Sequence, residues 1–349
     1  MRTFDYRELP AELMAPDVMN LVAAIHECRG RQQQFANAQP PALEALREVA
    51  AIHSAGASNR IEGIFTSEGR LKAIVAKGAE PRTRAEEEIA GYRDVLATIH
   101  ESHAFINVTP SVILQLHRDL FRYCPQAFAG RWKDSDNAIV ELDERGQRHV
   151  RFQPPPAVAV SGAMEQLCNA HATATRQGLY DPLLLLGMFT FDFVCIHPFN
   201  DGNGRMSRLL MLLLLYQAGY TVGAYVSIEK EIEASKETYY ETLQACSAGW
   251  MEGRNVYAPF VRYVLGVVLA AYRELEEREA QLCAGHATKA QRVEQVFNRR
   301  VGKVTKADIL AECPDISETT VERALASLLA QGRIEKVGAG RTTGYCKKG

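Results

Sequence analysis

The 349-residue chain has almost no charge imbalance: 40 Lys and Arg against 42 Asp and Glu leave a formal net charge of −2. That argues against a protein whose whole surface serves nucleic acid or a membrane, although a local basic patch fits inside a balanced total. The eight cysteines, from Cys28 to Cys346, stand far apart with no CxxC pair. Neither a zinc site nor a disulfide framework is therefore expected, and reduced, buried thiols are. The N-terminus MRTFDYRELP lacks a basic flank followed by an apolar stretch, which speaks against a secretory signal and makes the cytoplasm the expected location. Long hydrophobic runs are missing too. Of the two that come closest, Leu183 to Ile196 carries Asp192 and Leu209 to Tyr216 is too short to cross a bilayer. Both read as buried core helices, and no membrane partner is expected.

What is present is helical periodicity. Apolar residues recur at three- and four-residue spacing through Ala85 to His103, Ser111 to Tyr123, Val158 to Arg176 and Val256 to Glu279. A chain of this length suggests one large domain with a smaller one appended. The exception to the helical pattern is RWKDSDNAIVELDERGQRHVRF, Arg131 to Phe152, where two short β-prone pieces flank a polar turn containing Gly146, a hairpin signal closed by Pro154 to Pro156. After RELEEREAQL the chain passes Ala284, Gly285 and His286, where the domain boundary is expected. Helices around Gln291 to Arg299, Lys306 to Glu312 and Glu318 to Gln331, then a hairpin with a glycine turn in IEKVGAGRTTGYCK, follow in the order of a winged helix-turn-helix. The expected division is 1–84, 85–283 and 286–349.

The most informative stretch is HPFNDGNGRMSR, His197 to Arg208. Pro198 bars helix at its own start, and Gly202 and Gly204 let the backbone turn tightly and let a ligand approach without Cβ interference. A loop of this kind feeding a helix over Arg205 to Gln217 leaves unpaired N–H groups at the positive end of the helix dipole, an anion site suited to phosphates. Arg205 and Arg208, three apart, can bring two guanidinium forks to one phosphate chain. Asp201 is the loop's single carboxylate, and magnesium bridging phosphates needs only one or two from the protein. His197, with a pKa near neutrality, suits the removal of a proton from an attacking hydroxyl, a role worth roughly 10²–10⁴ in rate.

These residues match the signature HxFx(D/E)GNGRxxR of the Fic family at every specified position: His197, Phe199, Asp201, Gly202, Asn203, Gly204, Arg205 and Arg208. The resemblance implies a mainly α Fic-fold helical bundle over roughly Ala85 to Arg278 with a β-hairpin flap. It also implies protein adenylyltransferase activity, moving AMP from ATP with Mg²⁺ onto a Ser, Thr or Tyr hydroxyl and releasing pyrophosphate. In that reading His197 is the general base and Asp201 the metal ligand. Asn203 with the amides of Gly202 and Gly204 forms the phosphate cradle, Arg205 and Arg208 are the clamps, and Phe199 packs to anchor the loop. The hairpin within 131–152 resembles the family's flap, which holds a target protein as an added strand. Tyr239 and Tyr240 stand on the helix that lines the adenine pocket in the family, Tyr240 being the expected contact; core packing accounts equally well for either ring.

Upstream, SNRIEG resembles the family's inhibitory motif (S/T)xxxE(G/N), with Ser58, Glu62 and Gly63 on its positions. The implied mechanism is competition, a bidentate Glu62 pair taking the Arg208 guanidinium that the γ-phosphate needs. From His286 onward 12 Lys or Arg stand against 7 Asp or Glu, a net of +5, compatible with phosphate contacts. Within SETTVERALASLL, Ser317 reads as an N-cap, and Glu318, Thr319 and Arg323 as outward-facing. Winged helices also serve as protein-interaction or dimerisation modules, so DNA contact and homodimerisation both stay open. A DNA-binding regulator with a nucleotide-sensing Fic domain is the rival reading. Within the enzyme class, removal of AMP or transfer of another phosphate-containing group also fits the loop.

Overall fold

Hydroxyl caps mark where helices begin in the computed structural model. Ser67, Thr83 and Thr109 each accept a first-turn backbone N–H, satisfying one of the donors that a helix start leaves orphaned. The structure describes every residue except 1, 39, 143–147, 179, 287–288, 300–302, 314–315, 339–342 and 348–349. The chain divides into two compact units, Met1–Glu276 and Glu277–Gly349.

In the first unit the helices are α1 (Pro16–Ala38), α2 (Pro40–Ile61), α3 (Glu68–Lys77), α4 (Arg84–Ser102) and α5 (Pro110–Leu120), followed by strands β1 (Ile139–Leu142) and β2 (Arg148–Phe152). Then come α6 (Ala157–Gln177), α7 (Pro182–Ile196), α8 (Asn203–Gln217), α9 (Ile228–Ala234), α10 (Lys236–Ser247) and α11 (Ala258–His286), whose residues from Glu277 onward belong to the second unit. The chain is mainly α, and its two apolar runs are the central helices α7 and α8. Apart from Asp192, α7 is apolar on every face, as is the Leu209 to Tyr216 part of α8, so both are stable only when surrounded; Leu183 to Phe193 and Leu209 to Tyr216 are all buried. The N-terminal 84 residues share this core, with Phe4, Tyr6, Leu13, Val18 and Ile25 packed in the same cluster as α7 and α8. Asp192, wholly buried in α7, accepts from Tyr6, Trp250 and Tyr257 and faces Arg2; burial raises its pKa. No helix is long and apolar enough to cross a membrane among the described residues.

The hairpin pairs β1 and β2 antiparallel, Val140 opposite Val150 and Leu142 opposite Arg148, with an irregularity between Ile139 and Val140. They form a two-stranded sheet, so each strand has an outer edge. The expected turn at Gly146 lies outside the described residues.

The second unit contains α12 (Lys289–Arg299), α13 (Lys306–Glu312), α14 (Glu318–Ala330), β3 (Ile334–Val337) and β4 (Gly344–Lys347). β3 and β4 pair antiparallel, and Val304 bridges to Tyr345. Val293, Phe297, Ile309, Val321, Leu325 and Ile334 form its own small core. The turn joining β3 to β4 falls within 339–342, outside the described residues. Two local expectations change. α11 runs unbroken through Ala284, Gly285 and His286, because a single helical glycine costs only about 1 kcal/mol. Ser317 holds the expected N-cap position of α14, but its hydroxyl meets that of Thr320 at 2.9 Å rather than a backbone N–H. Glu318, Thr319 and Arg323 are exposed, and Lys306 Nζ lies 2.7 Å from both Glu318 and Glu322.

Candidate active site

Pro198 has no N–H to continue α7, and the residue before a proline is pushed out of helical backbone. His197 accordingly ends α7 in left-handed conformation (φ 49°), its N–H still bonded to the Phe193 carbonyl at 3.1 Å. It is the one non-glycine residue with positive φ among the described residues, a strain characteristic of functional sites. The loop is then closed on itself. Asn203 Oδ1 accepts from the Phe199 N–H (2.9 Å) and its Nδ2 donates to the Phe199 carbonyl (2.8 Å). Phe199, fully buried, stacks on His117 and packs beside Trp132. Gly202 takes φ 82°, and α8 starts at Asn203, two residues before the expected Arg205. Its first N–H groups have no acceptor within their own helix.

A cavity of about 440 Å³ opens over this turn, lined by His197, Asn203, Gly204, Arg208, Glu62, Tyr239 and Tyr240 together with hairpin residues Ile139, Val140, Arg151 and Phe152. The structure thus gathers most of the expected residues in one place. Gly202, Asp201 and Arg205 do not line it.

His197 has its pKa lowered to about 4, first by burial and then by the positive charge of Lys133, against the pull of the Val194 carbonyl, Glu62 and Asp201. It is neutral at physiological pH, as a proton acceptor must be. Its Nδ1 is buried with no hydrogen bond of good geometry. Lys133 is itself 3% exposed, donates to Asn137 Oδ1 at 2.7 Å, and is pushed down to about 8 by burial.

The two arginines part company. Arg208, 2% exposed, reaches the pocket floor. Arg205, 1% exposed, meets Glu88 of α4 at 2.8 Å, lies over the Phe121 ring and comes only to 3.9 Å of Asp201. Spacing alone suggests that both forks reach one ligand; in this structure the buried Glu88 carboxylate holds one of them away from the cavity. Asp201 is half exposed at the loop tip, with Oδ1 accepting from the Gly202 N–H. Its Oδ2 has no hydrogen-bond partner among the described residues. A single accessible carboxylate oxygen fits a magnesium ion that takes its other ligands from water and phosphate.

The motif at Ser58 to Gly63 folds onto this floor. α2 ends at Ile61, Gly63 supplies φ 79°, and Glu62 projects into the cavity. Arg208 Nη2 donates to Glu62 Oε1 at 2.8 Å and to the Ser58 carbonyl at 2.8 Å, while Nε donates to Ser58 Oγ at 2.8 Å. The contact is therefore shared between two acceptor residues rather than the expected bidentate fork. Burial opposes the Arg208 charge; Glu62, Tyr239 and Tyr92 outweigh it and raise the pKa. A Cβ on Gly204 would come within 2.1 Å of Glu62 Oε1. The carboxylate thus fills the space directly over the α8 N-terminus, where the dipole and free N–H groups favour an anion.

The end of α2 is pinned to the pocket wall. Arg60 forks onto Glu233 (2.6 and 2.7 Å), and Lys236 Nζ caps the Ile61 carbonyl at 2.8 Å while lying 5.9 Å from the Tyr240 ring. Arg151 of β2 donates to the Tyr240 carbonyl at 2.9 Å. Sequence reasoning missed Arg60, Glu88, Lys133, Arg151 and His117. Only Arg151 carried a local signal, as a strand residue of the expected hairpin; the others gain their partners by packing.

Residues 107–215 match the model of the Fic/DOC family. The protein adenylyltransferase Fic of Aedes aegypti is 29% identical over 175 residues, 50% of this chain and 30% of that protein. The Drosophila melanogaster protein of the same name is 26% identical over 205 residues, 57% of this chain and 37% of that one. The chain spans about a third of the length of these curated relatives. Among solved structures, a Fic family protein from Desulfovibrio desulfuricans G20 matches with a TM-score of 0.62 at 24% identity, over 98% of this chain and 99% of that one. A Fic domain containing signaling protein from Bacteroides thetaiotaomicron matches with a TM-score of 0.63 at 20% identity, over 74% of this chain and 97% of that one. At these identities the structural likeness speaks for the fold.

Proposed function

Because this chain is a Fic family protein, we propose that it transfers AMP from ATP to a Ser, Thr or Tyr hydroxyl of another protein and that it rests in a self-inhibited form. One observation carries the reading: a carboxylate of the chain itself, Glu62, sits on the Arg208 guanidinium and over the α8 N-terminus, where a phosphate group would gain most.

In the proposed reaction the neutral His197 takes the proton of the target hydroxyl, whose oxygen attacks the α-phosphorus. The bond from that phosphorus to the bridging oxygen breaks, and pyrophosphate leaves. Arg208 and the first N–H groups of α8 hold the phosphates, and the Tyr240 ring borders the base. Asp201 would hold magnesium, which would offset the negative charge of the phosphates. The open edge of the hairpin suits backbone pairing with an extended segment of the target, which brings a hydroxyl beside His197 with little sequence demand. Labelling a cell lysate with α-phosphate-labelled ATP, using the Glu62→Gly form with and without His197→Ala, tests this. Label that requires His197 supports it, and equal label without His197 refutes it.

A second reading rests on the same carboxylate. Glu62 is 31% exposed and faces the cavity with His197, a placement that also suits orienting a water to remove AMP from a modified protein. Loss of AMP removal in Glu62→Gly would favour it.

A further inference from the structure

His117 lies on α5, fully buried, and no part of the sequence motif includes it. Its ring stacks on Phe199 with centroids 3.7 Å apart and planes within 3°. The Gly130 N–H donates to its Nδ1 at 3.0 Å, and Nε2 is 3.0 Å from the Asp201 carbonyl. A backbone N–H can only donate, so Nδ1 is the acceptor and Nε2 carries the proton it gives to Asp201, which assigns the neutral tautomer. One ring thus grips the base of the catalytic loop at Phe199, its tip at Asp201, and Gly130, where the segment leading to β1 begins.

That segment is stitched to the loop beyond Gly130 as well. The Lys133 N–H donates to the Pro198 carbonyl at 2.8 Å. Asn200 Nδ2 donates to Asp134 at 3.1 Å, and Asn137 Nδ2 to the Phe199 carbonyl at 3.4 Å. Hydrogen bonds therefore tie the hairpin stem to the loop, and His117 links both to α5.

We infer that His117 is a positioning residue, a neutral imidazole that fixes the Asp201 tip and the hairpin stem against each other so that a metal-bound nucleotide and a target strand meet in register. The inference rests on the proposed nucleotide chemistry. Groups that orient a metal ligand from behind typically change metal affinity or activity by about 10–100-fold when removed.

The test uses the full chain carrying Glu62→Gly, with His117→Phe, His117→Gln and His117→Asn added singly. Phe keeps the ring and its stack but bonds neither Asp201 nor Gly130. Gln can place a donor where Nε2 stands, and Asn an acceptor where Nδ1 stands. Measured are the melting temperature, ATP binding by calorimetry without metal and across a magnesium titration, and the initial rate of AMP transfer. For His117→Phe the expected result is metal-free ATP binding within about twofold of the parent, and a magnesium requirement and kcat each worse by about 10-fold or more. KM for ATP changes less. His117→Gln recovers the magnesium requirement, and His117→Asn does not.

A His117→Phe protein with unchanged magnesium requirement and kcat overturns the inference. So does parallel loss of melting temperature and metal-free ATP binding in all three variants, which would make His117 a folding residue only, or a Gln variant no better than Phe. If the Glu62→Gly parent binds ATP but transfers no AMP, the proposed function falls while the magnesium titration still decides the role of His117. A parent that binds no ATP overturns both.

Discussion

Replacing Glu62 by Gly removes the carboxylate from Arg208 and from the space over Gly204. A hydrogen bond to a charged group contributes about 1.5–3 kcal/mol, and the 31% exposure of Glu62 places this one in the lower half of that range. At about 1.4 kcal/mol per factor of ten, freeing the guanidinium should raise the transfer rate at subsaturating ATP by about 10- to 40-fold. Arg208 keeps Ser58 Oγ and the Ser58 carbonyl as acceptors, so the fold should survive with a small loss of melting temperature that ATP restores. The assay is incorporation of α-phosphate label into protein at fixed ATP, with Glu62→Gln as the shape-preserving control. Gln keeps one acceptor oxygen without its charge, and should fall between parent and Gly. A Glu62→Gly rate within twofold of the parent, in a preparation where His197→Ala still abolishes label, would refute the competition argument.

Other outcomes follow from neighbouring contacts. His197 is lowered to about 4, so the acid limb of kcat/KM in the Glu62→Gly form should lie well below the ordinary imidazole value of 6.5: a depressed base stays unprotonated as pH falls through 6. Lys133→Met, which deletes a positive charge that helps to depress it, should move that limb upward, and an unmoved limb would contradict this. Gly204→Ala brings a Cβ to 2.1 Å of Glu62 Oε1 and 3.3 Å of Arg208 Nη1; it should displace the carboxylate yet block phosphate, leaving ATP binding weak by calorimetry even alongside Glu62→Gly. Tyr240→Ala removes a ring bordering the cavity, and since base stacking on an aromatic is worth about 1–3 kcal/mol, KM for ATP should rise by about 5-fold or more with kcat changed less. Breaking the Arg60–Glu233 fork by Glu233→Gln should loosen the α2 terminus and raise transfer severalfold only while Glu62 is present, which a double-mutant cycle reads directly.

Much of the site was legible because its geometry is local. Pro198, Gly202 and Asn203 bend and close a six-residue turn through contacts no more than four residues apart, and the chemistry of that turn can be read from residue types. The two apolar runs announced buried helices, since no arrangement that left them in water would be stable. The two-residue error at the start of α8 and the helix that continued through Gly285 are of the same local kind, where weak propensities fall below the contribution of packing.

By itself the sequence determined the mainly helical class, the pair of central helices and the glycine-bent turn between them that leads into a helix N-terminus, because each follows from hydrophobic period, backbone freedom and helix-end electrostatics over short spans. Tertiary structure alone decided which charges meet. Arg208 and Glu62 are 146 residues apart in the chain, Glu88 reaches Arg205 from another helix, and His117 grips a loop tip 84 residues downstream. A guanidinium three residues from another looks equivalent to it in sequence. Only the packing of α2 and α4 around α8 turned one toward the cavity and buried the other against a carboxylate, since ion pairing depends on distances that folding sets.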